Sequence, residues 1–485
     1  MVVRQKSWLM VPGVLAVVLA TAGSAVADSD PGGNTIRQST ECEVDNTGTI
    51  SPDIVPGASA DTTMDARCRN RLFGTSRLHD SAVNQKAQCD TSNTGPITPT
   101  LRSPGSSSDT ALTADCANDL FNEGRMEHST LDQSSDCDVD NTGAIDTAAG
   151  TGSPGSSLDT TLASHCGNSL SNTGRIANSG IGQQAHCDTS NTGLINPDTA
   201  GGASPGASAD TVFSAACDNR IANSGTVDGS TLGQRAECDI DNTARVPTAI
   251  NTSPGSSSDA TLETRCRNEA HNTGRLDHLT LDQNSGCDVD NSGTLAGFAM
   301  ESPGASADMR QRAACDNRLV NTGDLRSVAI KQHNDCDLSN SGDIRPDIEF
   351  SPGASADTEL STQCGNNVLN LAGPDGNRSS SGGLLAPGST VDQDNHCGVD
   401  NSARIARFVD ESPGASADTS LPANCDNTVL QLGRGGRTDA RAHHIQQSND
   451  CVDRNSAEFG DVENSPGANA DAVVSASCRN IVVGS

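Results

Sequence analysis

Apolar side chains are sparse along this chain, and where they recur two periods compete. Asp109, Leu112, Cys116 and Leu120 step by about one helical turn, and Ser108 or Asp109 would cap a short helix. Cys166, Asn168, Leu170 and Asn172 instead share one parity, as in a strand with one face turned inward. Threonine-rich spacing and turns such as Asn172-Thr173-Gly174 and Asn321-Thr322-Gly323 favour the second reading, short strands between turns. Asparagine and glycine suit such turns because both tolerate the left-handed backbone region. In a stacked coil these asparagines would form ladders along the axis.

The pattern sits in a frame that recurs nine times, from Pro56 to Pro466. Proline and glycine come first, aspartate five after the proline, cysteine seven after that, then asparagine two further on. In the third copy these are Pro154, Gly155, Asp159, Cys166 and Asn168. The nine closing cysteines are Cys68, Cys116, Cys166, Cys217, Cys266, Cys315, Cys364, Cys425 and Cys478. Nine opening cysteines precede them: Cys42, Cys89, Cys137, Cys187, Cys238, Cys287, Cys336, Cys397 and Cys451, each with asparagine at the fourth place after it. A linker often ending in glutamine (Gln133, Gln183, Gln234, Gln283, Gln332) leads into the next copy.

Residues 1–27 read as a signal peptide: Arg4 and Lys6, an apolar stretch from Leu9 to Ala20, and Ala25-Val26-Ala27 as cleavage site. A polar lead, 28–41, follows. The modules are 42–88, 89–136, 137–186, 187–237, 238–286, 287–335, 336–396, 397–450 and 451–485, with an inserted loop at 371–388 in the seventh. A period of about 49 residues marks an array. The expected fold is mainly β: an elongated repeat array or β-solenoid of nine disulfide-stapled modules with much turn and coil.

Composition supports this. Beyond the signal peptide the chain has no tryptophan or tyrosine, and hydrophobic residues are 33% of the whole, too few for one large core. Removing the two leader bases leaves 29 against 62 acids, a charge of −33. Such a surface repels nucleic acid and anionic lipid and attracts cations or basic partners. No later apolar run is long enough to span a bilayer. Export makes the 18 cysteines a disulfide framework.

One stretch has metal-ligand spacing. Asp138, Asp140, Thr142 and Gly143 match a calcium loop of the EF-hand kind, and Asp288, Asp290, Ser292 and Gly293 repeat the match. The closing acid is absent, with Ala149 and Ala299 in its place, so calcium is a weak candidate and Asx turns the plainer reading. Gly202-Ala203-Ser204-Pro205-Gly206 has the form of a nucleophile elbow but is the ordinary Ser-Pro-Gly frame with a glycine before it. The ten histidines keep no register and are expected on exposed turns. No catalytic residue and no cofactor are expected.

At Ser153-Pro154-Gly155, Cys166-Gly167-Asn168-Ser169, Gly174 and Cys187 the chain resembles the chaplins, secreted surface proteins of filamentous actinobacteria. The likeness covers about half of each module. It implies a secreted, disulfide-bonded protein at a cell surface. Chaplins carry a valine-rich strand before the first cysteine. Here Asp159-Thr160-Thr161-Leu162-Ala163-Ser164-His165 stands there, so film formation is not implied.

Two disulfide pairings follow. Pairing within modules, Cys42–Cys68 through Cys451–Cys478, leaves no cysteine over and keeps spans of 26 to 30 residues. The alternative, Cys68–Cys89 and onward, is what the chaplin resemblance implies, and it strands Cys42 and Cys478. The function expected is a secreted structural or interaction protein of the bacterial exterior, self-associating or bound to a cell-wall polymer. Alternatives are a repeat adhesin for a cell-wall polymer or basic partner, and a calcium-dependent spacer.

Overall fold

Alternation around each cysteine runs further than the turns suggest, and it produces long strands. In the computed structural model the third opening strand is Thr130–Asn141, with Leu131, Gln133, Ser135, Cys137, Val139 and Asn141 buried. The closing strand, Thr160–Asn172, buries Thr160, Leu162, Ser164, Cys166, Asn168, Leu170 and Asn172. These strands of 12 and 13 residues replace the short ones expected, because the stretch read as a linker keeps the same parity. The structure describes residues 17–21, 28–29, 35–51, 59, 61–74, 77–98, 100–101, 105–149, 154–198, 205–371, 388–402, 408–432, 444–456 and 462–484. No helix occurs among them.

Each module is one coil of a parallel β-solenoid. After the opening strand the chain turns at Thr142-Gly143, runs through Ile145–Ala149, and turns again at Pro154-Gly155. It then enters the closing strand and returns through Arg175–Ala177 to the next opening strand, Gly180–Asn191. The nine opening strands and the short Asp28–Ser29, antiparallel to the first, form one ten-stranded sheet; the nine closing strands and Val17–Thr21 form another; the two shorter segments form sheets of eight and six strands. Register is kept residue for residue, with Cys137 beside Cys89 and Cys187, and Cys166 beside Cys116 and Cys217. At about 4.8 Å per coil, nine coils stand about 40 Å tall. The lead is not a separate segment, since Thr35–Asn46 is already the first opening strand. Most of the expected signal peptide and of the expected inserted loop lie outside the described residues, as does Gly202-Ala203-Ser204.

The interior is layered. One apolar cluster holds the cysteines with Leu162, Phe213, Val139 and Ile145; another holds Leu131, Leu170 and Ile176. Between them runs a layer of amides. Asn168 donates to Asn219 (2.9 Å) and to the Gln184 carbonyl (2.7 Å) while accepting from Asn118 (2.9 Å). That column is continuous from Asn70 to Asn480, at 2.8–3.1 Å throughout. A second column joins the opening-turn asparagines from Asn46 to Asn455 at 2.7–2.9 Å. A third runs from Asn122 to Asn370. A buried amide is tolerable only when hydrogen-bonded. Here each one satisfies the next, so a chain without a large apolar core can still bury an interior.

The frame residues have distinct roles. Asp159 accepts from the Ser208 hydroxyl (2.6 Å) and the Asp210 amide (3.1 Å) of the following coil. Gly155 is at φ 66° with open space around a would-be Cβ, so it is needed for its backbone conformation. The Asn-Thr-Gly glycines differ from expectation. Gly193 has no left-handed backbone, but a Cβ there would lie 2.0 Å from the Gly143 carbonyl oxygen. Glycine serves close stacking of turn on turn. The left-handed positions lie elsewhere, as at Asn178 (φ 49°) and His278 (φ 50°).

Seven disulfides close within coils: Cys42–Cys68, Cys89–Cys116, Cys137–Cys166, Cys187–Cys217, Cys336–Cys364, Cys397–Cys425 and Cys451–Cys478. Cys238, Cys266, Cys287 and Cys315 depart from the expected pairing and are buried thiols. Their sulfurs are gathered in one place, with Cys287 in contact with Cys238, Cys266 and Cys315 at once.

Candidate functional site

The outward residues of the opening sheet form the most distinctive surface. Since alternate residues face out, Asp136, Asp138 and Asp140 point away from the buried Cys137, Val139 and Asn141. Stacking turns Asp138 into a column: Glu43, Asp90, Asp138, Asp188, Asp239, Asp288 and Asp337 occupy seven consecutive coils. Beside it Asp45, Asp140, Asp241 and Asp290 share a column with Ser92 and Ser190, whose hydroxyls donate to Asp45 (2.7 Å) and Asp140. Thr94, Thr142, Thr192 and Thr243 continue the surface into the turn.

Crowding of like charges changes these acids. Partial burial, then repulsion from Asp140 and Asp45, pushes Asp90 up to about 6. Burial with Asp136 and Asp188 pushes Asp138 up to about 7. Desolvation by its neighbours, then repulsion from Asp239 and Asp337, raises Asp288 to about 7 although its side chain is exposed. Asp239 rises to about 6, chiefly through burial, with His186 partly offsetting its acidic neighbours. The face therefore takes up protons near neutrality and favours cations above it.

A pH dependence follows. These four carboxyls hold protons more tightly folded than unfolded, where aspartate titrates near about 4. Their contribution is fully favourable below that pH and is lost as pH rises through about 6–7. Asp115, held low by its hydrogen bond with His165, acts oppositely and weakens the fold only in stronger acid. The melting temperature should be higher at pH 5 than at pH 8, with the gap narrowing in high salt. Equal melting temperatures would show that the column is not mutually repulsive.

The calcium candidates lie on this face, but not as a loop. Asp138 and Asp140 belong to a strand, with Thr142 in the turn after it, and Asp288, Asp290 and Ser292 repeat this. A calcium loop wraps six to eight oxygens around the ion. An extended strand offers oxygens from one side only. What comes together is the same residue from successive coils, about 4.8 Å apart. Sequence reasoning grouped these acids along the chain, whereas stacking groups them across it.

Histidines also depart from expectation. His128 and His278 are at corners, but His165, His186, His333 and His396 lie on outward strand faces. Asp115 (3.3 Å) and Asp218 (3.8 Å) of the adjacent coils flank His165, and their hydrogen bonds push it up to about 9. His396 lies 3.3 Å from Asp450 and 3.5 Å from Asp337. His165 thus works as a cation between acids of stacked strands.

A shallow groove of about 450 Å³ crosses the same sheet where Gly182 and Gly233 remove two side chains, with Asp132, Gln184, Arg235 and Asp282 around it. Asp132 and Asp282 are three coils apart, about 14 Å, beyond the separation at which two carboxyls share one glycosidic bond. No known protein family matches the chain, and no curated protein is similar to it. No helix among the described residues is long and apolar enough to cross a membrane. The within-coil disulfides suit an oxidising compartment.

Proposed function

We propose that this protein is a structural element of the bacterial exterior, a secreted, disulfide-stapled stack that lends its surface mechanical and chemical persistence. The observation that carries this is the continuity of the ladders: the recurring Asn, Gln and Asp residues hydrogen-bond one coil to the next, while disulfides staple coils within themselves. The chaplin-like spacing points the same way. Fractionating producing cells and probing with an antibody tests it. The protein should be in wall and medium fractions, cleaved after Ala27 and oxidised. An uncleaved, reduced protein inside the cells would overturn the reading.

The acidic column supports a second reading, an adhesive face for a basic polymer. Immobilised polylysine should then retain the protein in low salt and release it in high salt. Replacing Asp138, Asp188, Asp239 and Asp288 by asparagine should abolish retention, whereas undiminished retention would reject this face. Calcium should bind no better than at about millimolar concentration, since the strand that carries these acids offers oxygens from one side only. Calorimetry showing micromolar binding would restore the calcium-dependent spacer.

A further inference from the structure

The two ends of the stack differ from its middle. Ala472–Gly484 and His444–Asn455 are edge strands of the two large sheets, each paired on one side only. The former is valine-rich, and Val473, Val474, Ile481, Val482 and Val483 are 38–54% exposed. Yet Val474 and Val482 pair with Leu421 and Val429 of the coil beneath, both fully buried. An exposed apolar edge of this kind is a template for another strand.

At the opposite end, the first closing strand, Thr62–Gly74, is covered on its outer side only over Thr63–Arg67, by the leader segment Val17–Thr21. Asn70, 1% exposed, has its Oδ1 buried without a hydrogen-bond partner. The column's polarity explains this. Every asparagine oxygen in it accepts from the coil before, and Asn70 is first. Asn480, the last, accepts from Asn427 and carries the terminal donor amide. Thr40, also in the first coil, has a buried, unpartnered hydroxyl.

We propose that, once the leader is removed, copies of this chain stack head to tail, with the Ala472–Gly484 edge of one copy continuing onto the Thr62–Gly74 edge of the next. In the register that all nine coils keep, Asn480 donates to Asn70, Val482 faces Leu72, and Val483 faces Phe73, which is 66% exposed. Arg454 comes beside Asp45. The occupant is a second copy because only this chain supplies the continuation of each column at its matching position. The contact joins unlike ends, so it does not close and yields filaments. This deepens the structural reading above and rests on it. The leader then has a second role, blocking growth before export.

The test compares oxidised protein beginning at Asp28 with the leader-bearing form and with a Val474→Lys, Val482→Lys double variant. Sedimentation velocity and negative-stain electron microscopy are read at equal concentrations. The form beginning at Asp28 should give an open-ended series of oligomers and filaments one stack wide. The other two should sediment as monomers with unchanged circular dichroism, since both lysines enter half-exposed positions. A monomer from Asp28 onward overturns the proposal but leaves the exported structural role standing. A dimer that grows no further signals tail-to-tail pairing and also overturns it. Filaments from the lysine variant would place the contact elsewhere. A cytoplasmic location would remove the structural reading without touching these outcomes.

Discussion

A reducing agent should unfold the stack along its whole length, lowering the melting temperature by tens of degrees. Each within-coil bridge closes a loop of 26 to 30 residues, an effect worth roughly 3–4 kcal/mol on the unfolded chain. A whole domain is typically stable by about 5–15 kcal/mol. Attack should begin at Cys451–Cys478, where Cys478 is exposed, because cysteines of the inner coils are buried. Burial pushes the thiols of Cys238, Cys266 and Cys315 up, so these three are poor nucleophiles if left reduced, whereas, against its burial, hydrogen bonds from those three hold the Cys287 thiol low. In an oxidising compartment we expect Cys238–Cys266 and Cys287–Cys315 to be closed, since these positions are bonded in the other seven coils. Unreduced peptide maps and melting curves with and without reductant check this. A dominant Cys68–Cys89 peptide, or a reduced protein melting within a few degrees of the oxidised one, would contradict it.

Asn219→Leu should be the most damaging single substitution away from the cysteines. It takes an acceptor from Asn168, a donor from Asn268's column and the partner of the Arg235 carbonyl (2.6 Å). Buried groups left unsatisfied cost about 1–3 kcal/mol each, so a loss of about 3–6 kcal/mol is expected by denaturant titration. Ser169→Ala, on the outward face of the adjacent coil, should change stability by less than about 0.5 kcal/mol. A similar small change for Asn219→Leu would mean that the amide layer relaxes around the gap. The third asparagine column already shows where interruption is tolerated: Gly74 stands at its start and Gln431 beyond its end, never in its middle.

Much of the coil is legible in spacing. Asparagines four residues after each opening cysteine and two after each closing one form two nine-residue ladders, and within-module arithmetic matches the bridges formed. The glutamine column was equally rigid. Gln38, Gln85, Gln133, Gln183, Gln234, Gln283, Gln332, Gln393 and Gln447 each stand four before an opening cysteine, and from Gln85 onward Nε2 of each donates to the one before at 2.7–2.9 Å. Reading five of them as linker ends concealed it. Other features were not written locally. A glycine needed for space, as at Gly193, looks the same in sequence as one needed for φ, as at Gly155, until the neighbouring coil is present. Nor does residue type mark the left-handed corner shared by Asp80, His128 and Asn178. The acidic face was partly visible, since Asp138 and Asp140 alternate with Val139. Their resemblance to a loop obscured the fact that a strand sets them in a row.

Residue-for-residue register also means that length changes in two unequal ways. Cys336 and Cys397 are 61 residues apart where Cys287 and Cys336 are 49, yet both pairs lie side by side in the same sheet. Twelve added residues leave the strands in step because they enter between a closing strand and the next opening one. The same insertion inside Thr390–Asn401 would pull amides, glutamine and cysteine out of line together. Height, by contrast, is quantised. Such a protein grows or shrinks by whole coils, each adding about 4.8 Å, while its corners remain free to carry new loops.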